Sequence, residues 1–147
     1  MRPSLIIPRL REQCPVFSGR VAGAIDYRRA IESDDFAVPH AFVLLAAIAP
    51  DGDEQISTLD QEVSCQLSVM LAVAADADVT GQDASQQLFS CFVQIRSALL
   101  GWTPDATLYT PFAMDGLMLA DGEATFLRAR AWAQCDITAS AMARGIA

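Results

Sequence analysis

The sequence predicts an α+β fold: a single domain in which a mixed, mainly antiparallel β-sheet packs against two α-helices. Three observations lead there. Residues 62–75, EVSCQLSVMLAVAA, alternate apolar and polar side chains at period two, the mark of a strand with one buried face. Ala84, Leu88, Cys91, Ile95 and Leu99 recur at helical spacing. Asp-Gly pairs at 51–52 and 121–122 stand between apolar runs, where antiparallel strands are commonly joined. A chain of 147 residues fits one domain that buries roughly 70% of the surface its unfolded form exposes.

In chain order, the first element is a helix over about 5–14, with Ile6, Leu10 and Cys14 on one side. Ser4 is placed to cap it, Pro8 falls in the first turn where proline is tolerated, and Pro15 ends it. RVAGAIDYRRAI, 20–31, begins with an apolar segment from Val21 to Ile25 and finishes as a turn of helix. SDDFAVP, 33–39, reads as loop by composition. His40 to Ile48 is apolar on both faces, as an interior strand is, with Phe42, Leu44 and Ile48 on one side and Val43 and Leu45 on the other. DGDEQISTLDQ, 51–61, is the most acidic stretch and reads as an exposed connection.

The strand at 62–75 is wet on one face at first and drier toward Met70 and Ala72. Thr80 and Asp83 form a capping-box-like start to a helix over about 82–100. Gly101 suits a left-handed C-cap, with the Trp102 indole folded back over the helix end. Two strands follow, about 111–119 and 123–137, joined at Asp121-Gly122. The second has a small-residue face (Leu127, Ala129, Ala131, Ala133, Cys135, Ile137) and an aromatic and charged one (Phe126, Arg128, Arg130, Trp132, Gln134, Asp136). From about residue 139 the chain reads as a tail that frays or reaches a neighbour.

Composition excludes several classes. A net charge of −8 and a pI near 4.4 argue against a nucleic-acid grip, which is built from clustered cations. With 52% hydrophobic and only 19% charged residues, either the interior is generous or other subunits cover part of the surface. All ten basic residues are arginine; genome composition contributes to that, and guanidinium groups also suit protein interfaces. No apolar run approaches the roughly 20 residues that span a bilayer, and the N-terminus lacks the apolar stretch of a signal peptide. Cys14, Cys65, Cys91 and Cys135 form no C-x-x-C pair, so free buried thiols in a reducing cytoplasm are expected.

Chemistry-bearing constellations are sparse. His40 is the single histidine, expected in a hydrogen-bonded structural role. No phosphate-cradling glycine loop, nucleophile elbow or zinc-protease motif occurs, and no cofactor or metal is expected. D-G-D-E at 51–54 lacks the twelve-residue pattern of a calcium loop. Two readings fit Arg128, Arg130 and Trp132 on one strand face: a partner surface, or arginine stems lying over apolar neighbours.

R-V-A-G-A at 20–24, P-H-A-F-V-L-L at 39–45 and above all A-L-L-G-W-T-P-D at 98–105 stand in a familiar order of helix, buried strand, acidic connection, alternating strand, helix and two strands. Over about residues 4–138 the chain resembles the tail terminator proteins of long-tailed bacteriophages, in particular the small family of Mu-like and related prophages. That resemblance implies a structural virion protein of the neck, assembled in the host cytoplasm, and no catalytic residues. It implies a homohexameric ring that caps the finished tail tube, stops addition of tube protein and offers the head connector its joining surface. DNA would traverse the ring without specific binding, and an acidic lumen suits that. On this reading Phe126, Arg128, Arg130, Trp132 and Gln134 are candidates for the subunit interface. Asp51, Asp53, Glu54 and Asp60 are candidates for a loop facing the lumen or the adjoining ring. The alternatives are another neck or tail-completion protein, or a small enzyme or ligand-binding domain whose pocket gathers His40, Cys65 and Asp51.

Overall fold

A computed structural model describes residues 2–33, 36–50, 60–74, 82–119, 126–127 and 130–144. The fold is α+β. A 3-10 turn, Pro3–Leu5, leads into α1 (Ile7–Gln13), where Pro8 occupies the first turn as expected. Ile6, Leu10 and Cys14 are all fully buried. A second 3-10 turn, Pro15–Phe17, leads to β1 (Val21–Ala22) and α2 (Ala24–Glu32), a full helix where a single turn was expected. Then come β2 (His40–Pro50), β3 (Asp60–Ala74), α3 (Gln82–Leu99), β4 (Ala113–Leu119), β5 (Phe126–Leu127) and β6 (Arg130–Arg144).

The strands form one sheet in the order β1-β2-β3-β6-β4, with β5 paired to β6. Among the named strands described, only the β1–β2 pairing is parallel; an isolated parallel bridge also joins Leu100 to Phe112. The sheet is built on β3 and β6, which pair from Asp60↔Arg144 to Ala74↔Arg130. Fifteen residues at about 3.3 Å each make that ribbon roughly 50 Å long, against roughly 27 Å for the eighteen residues of α3. The paired backbone continues for five rungs past the buried Cys65, to Asp60.

Alternation along β3 sends Leu67, Val69, Leu71 and Val73 to the first face, where they meet Ala131, Ala133, Cys135 and Ile137 of β6. That face is sealed by α1 and α3: Ala84, Leu88, Cys91, Ile95 and Leu99 are each at most 1% exposed. The helical stripe read from sequence is therefore the one that packs. Thr80 lies outside the described residues, so the capping box at the start of α3 does too.

Three expectations change. The strand expected at 123–137 is divided: β5 pairs antiparallel with the start of β6, Phe126 opposite Ala131 and Leu127 opposite Arg130. A backbone that folds back between Leu127 and Arg130 cannot carry one alternation from Phe126 to Gln134. Residues 139–144, expected as a loose tail, continue β6 because β3 supplies hydrogen-bonding partners as far as Asp60. The third is α2, which covers part of the second face and makes three helices where two were expected.

Candidate interaction surface

The second face of the sheet divides along its strands. Where β2 begins, α2 lies over it, and Ala30 and Tyr27 meet Phe42, Met70, Ala72 and Trp132. Phe36, in the segment between α2 and β2, closes the cluster. The Trp132 ring lies 5.9 Å from Tyr27, 5.8 Å from Phe36 and 6.0 Å from Phe42, and only 4% of the residue is exposed. The Arg130 guanidinium sits 5.3 Å above the Phe36 ring while its Nη2 donates to the Phe36 carbonyl at 3.1 Å. Both residues were expected at a subunit interface. Their side chains are engaged inside the chain, Trp132 fully so, because α2 occupies the face they share.

One rung further, the face turns polar. Ser68 Oγ donates to Asp136 Oδ1 at 2.7 Å, and Gln134 Nε2 donates to the same oxygen at 2.9 Å. Ser68 is 5% exposed, so the Asp136 carboxylate gives a nearly buried hydroxyl the partner it requires. Beyond this network Ser64, Gln66, Thr138 and Ser140 follow on the same face, all half-buried. The Ser140 amide donates to Thr110 Oγ1 at 2.8 Å, which ties the chain ahead of β4 to this end of β6. Gln134 thus stands at the border between the covered apolar half and the polar half. Phe126 is displaced from this row by the β5–β6 register, and Arg128 lies outside the described residues.

His40 was expected to be hydrogen-bonded. Among the described residues neither buried ring nitrogen has a partner within full hydrogen-bonding geometry, the Ala37 backbone being the polar group nearest to one, and the imidazole stacks on Phe42 with centroids 4.2 Å apart. Burial first, and the nearby Arg20 guanidinium second, push its pKa below the ordinary 6.5; the Ala37 backbone and Asp26 oppose that only in part. His40 and Cys65 do not converge. His40 faces Ala72 across the β2–β3 ladder, and Cys65 lies seven residues along β3 from Ala72, about 23 Å away. Their side chains also leave the sheet on opposite faces. Asp51 falls outside the described residues, so the pocket imagined from these three has no geometry here.

All four cysteines are buried and none is in a disulfide. Burial raises the thiols of Cys14 and Cys91, at the contact of α1 with α3, to about 11, which keeps them protonated and unreactive at neutral pH. Trp102 closes the end of α3. Gly101 adopts φ +78°, and the Trp102 amide donates to the Leu99 carbonyl at 2.9 Å. The indole lies 6.1 Å from Phe112, and the Arg9 guanidinium covers it at 5.0 Å while Arg9 Nε bonds the Ala98 carbonyl. Its neighbours are therefore this chain's own α1, α3 and β4 approach.

Of the acidic candidates, Asp51, Asp53 and Glu54 lie outside the described residues. Asp60 is the first residue of β3, paired with Arg144, and so belongs to the sheet instead of the connection. Sequence reasoning missed a cavity of about 450 Å³ between β1, α2 and the start of β2, bordered by Arg11, Arg20 and Arg29. Its signal was the crowding of six of the ten arginines into the first 29 residues.

Comparison with protein families decides the affiliation. The family model described as phage tail terminator protein matches residues 1–132, about nine-tenths of the chain. The chain belongs to the phage tail terminator family. No curated protein matches it. As a tail terminator it is a structural component of the virion tail that acts at tail completion. Among its described residues no helix is long and apolar enough to cross a membrane.

Proposed function

We propose that this chain closes into a homohexameric ring on the end of the completed tail tube, where it stops addition of tube protein and presents the joining surface to the head connector. It works in the neck of the virion by shape and self-association, and no bond chemistry is performed. The observation that carries the reading is the family match over residues 1–132.

Three features support it. Large apolar side chains stay exposed on α3 (Phe89 59%, Val93 40%) and around α2 and β2 (Ile25 71%, Leu45 48%), more than a chain working alone needs to leave in water. The polar half of the second face, from Gln134 to Ser64, offers half-buried hydrogen-bonding side chains suited to a neighbouring subunit. The acidic balance suits a ring traversed by DNA, since a repulsive lumen avoids sticking.

The experiment is an image of tails assembled without this protein. Overlong tubes lacking heads are expected. Tubes of normal length joined to heads would overturn the proposal.

A further inference from the structure

Both margins of the sheet are capped for a short distance and then left open. On the β2 margin, β1 pairs only with Ala41 and Phe42. The Ala41 amide donates outward to the Arg20 carbonyl at 3.0 Å, so at period two Leu45 also turns its amide and carbonyl away from β3. From Val43 onward, β2 has a strand partner on its β3 side alone among the described residues. The β4 margin repeats this. The Phe112 amide donates to the Trp102 carbonyl and the Phe112 carbonyl accepts from the Gly101 amide, which caps that margin at the end of α3. With one bulge between Met114 and Gly116, the backbone groups that next face outward are those of Met114, Leu117 and Leu119, and among the described residues β4 pairs only with β6.

An open strand edge is a template for another strand, and chains that stay alone guard such edges with charge, proline or bulges. Residues 43–49 hold neither charge nor proline, and 114–119 hold one charge, Asp115. Each edge does carry a bulge, after Leu45 in β2 and after Met114 in β4. A bulge bends its strand and increases the local twist, the curvature that a sheet needs to follow a ring. The β2 edge also runs beside an apolar groove of about 520 Å³ against α2, lined by Pro3, Ala24, Tyr27, Ile31, Leu44 and Leu45, and Leu45 is left 48% exposed there.

Strand direction selects the occupant. β2, β3, β6 and β4 alternate in direction, so β4 runs antiparallel to β2 within one chain. In a ring that turns about an axis near the strand direction, β4 of one copy meets β2 of the next in that same antiparallel sense, and the sheet continues without a break. β4 is seven residues long, as is the open stretch 43–49.

We infer that the open edge of β2, over residues 43–49, takes the β4 edge of a second copy of this chain as its next strand. The contact rests on the ring reading above and deepens it by naming the seam between subunits. Its two halves lie at opposite margins of the sheet, so it is heterologous, and repetition of such a contact closes a ring or propagates a filament.

The test is amide hydrogen exchange on the full-length wild type, compared between the assembled protein and the monomer reached by dilution. The Leu45 and Leu117 amides, which point away from their own sheet, are expected to exchange about tenfold or more slowly in the ring. Proline at these edges removes an outward donor without taking a bond from β3 or β6. Leu45→Pro and Leu119→Pro, with folding checked by circular dichroism, are each expected to weaken assembly about tenfold or more. Their equimolar mixture is expected to stop at a dimer with one copy of each, because each retains the edge that the other has lost. The exchange measurement needs no variant, so it decides even where a proline variant does not fold. Wild-type rings in which both amides exchange as fast as in the monomer, folded proline variants that still close rings, or mixed rings of six would overturn the inference and leave the ring reading standing. A strictly monomeric wild type would instead remove the ring reading itself.

Discussion

The two faces of the sheet are made of the same strands and do opposite things. The first is continuous and apolar from Leu67 to Val73 and from Ala131 to Ile137, sealed by two helices and without a charged side chain in its core cluster. The second is covered over half its length. It carries the aromatic cluster, the stacked histidine and the arginine-lined cavity at one end, and serine, glutamine and threonine at the other. Period-two alternation assigns each strand residue to one face or the other. Both ends of the division serve folding where a helix covers them, the whole first face and the α2-covered half of the second, and the polar half of the second face is left for partners.

The division can be broken at its covered half first. Trp132→Ala should destabilise the chain by about 3–5 kcal/mol, the cost of a large aromatic removed from packed surroundings. Urea unfolding checks this; a loss below 1 kcal/mol, with assembly alone affected, would mean that Trp132 serves a partner instead of its own subunit. Asp136→Ala should cost less, about 1–3 kcal/mol, because it leaves the nearly buried Ser68 hydroxyl and the Gln134 amide without their acceptor. Asp136→Asn, which keeps an acceptor oxygen, should recover part of that loss.

On the first face, Gly101→Ala should cost about 1–2 kcal/mol through backbone strain. No atom lies within 4 Å of the added methyl position, so the left-handed φ of +78° is the whole penalty. The smallest effect concerns His40. Its folded pKa lies below the ordinary 6.5, so the unfolded chain binds the proton more readily. Stability should be complete above about pH 6.5 and fall as the pH drops from there through the folded-state pKa. His40 is the only histidine, so His40→Phe, which preserves stacking on Phe42, should flatten the unfolding midpoint between pH 7 and 5.5. An unchanged slope would show that another group is responsible.

Legibility follows the same division. The sealed face could be read directly: the alternation from Val63 to Val73, the stripe from Ala84 to Leu99, and Ile6, Leu10 and Cys14 all report burial against one apolar surface, which leaves a regular period. The second face could not. α2 buries Ala30 and half-buries Tyr27 while leaving Ile25 and Ile31 exposed, so RVAGAIDYRRAI shows no clean stripe. Alanine and arginine alternate through 128–131 whether the chain runs straight or turns, so the break between β5 and β6 left no mark. Ala139 to Arg144 reads as a tail because its order comes from β3, more than sixty residues earlier. The arginine cavity joins residues 11, 20, 29 and 40 across three elements, a convergence with no local signature.

The central claim is that this chain acts as a stop on a growing tube by association alone. The most direct measurement adds purified protein to tube subunits polymerising in vitro and follows tube length by electron microscopy. The account predicts that growth ceases at amounts far below one copy per tube subunit, with a ring visible at the arrested end. Tubes that lengthen at the same rate under a large excess of the protein would contradict it.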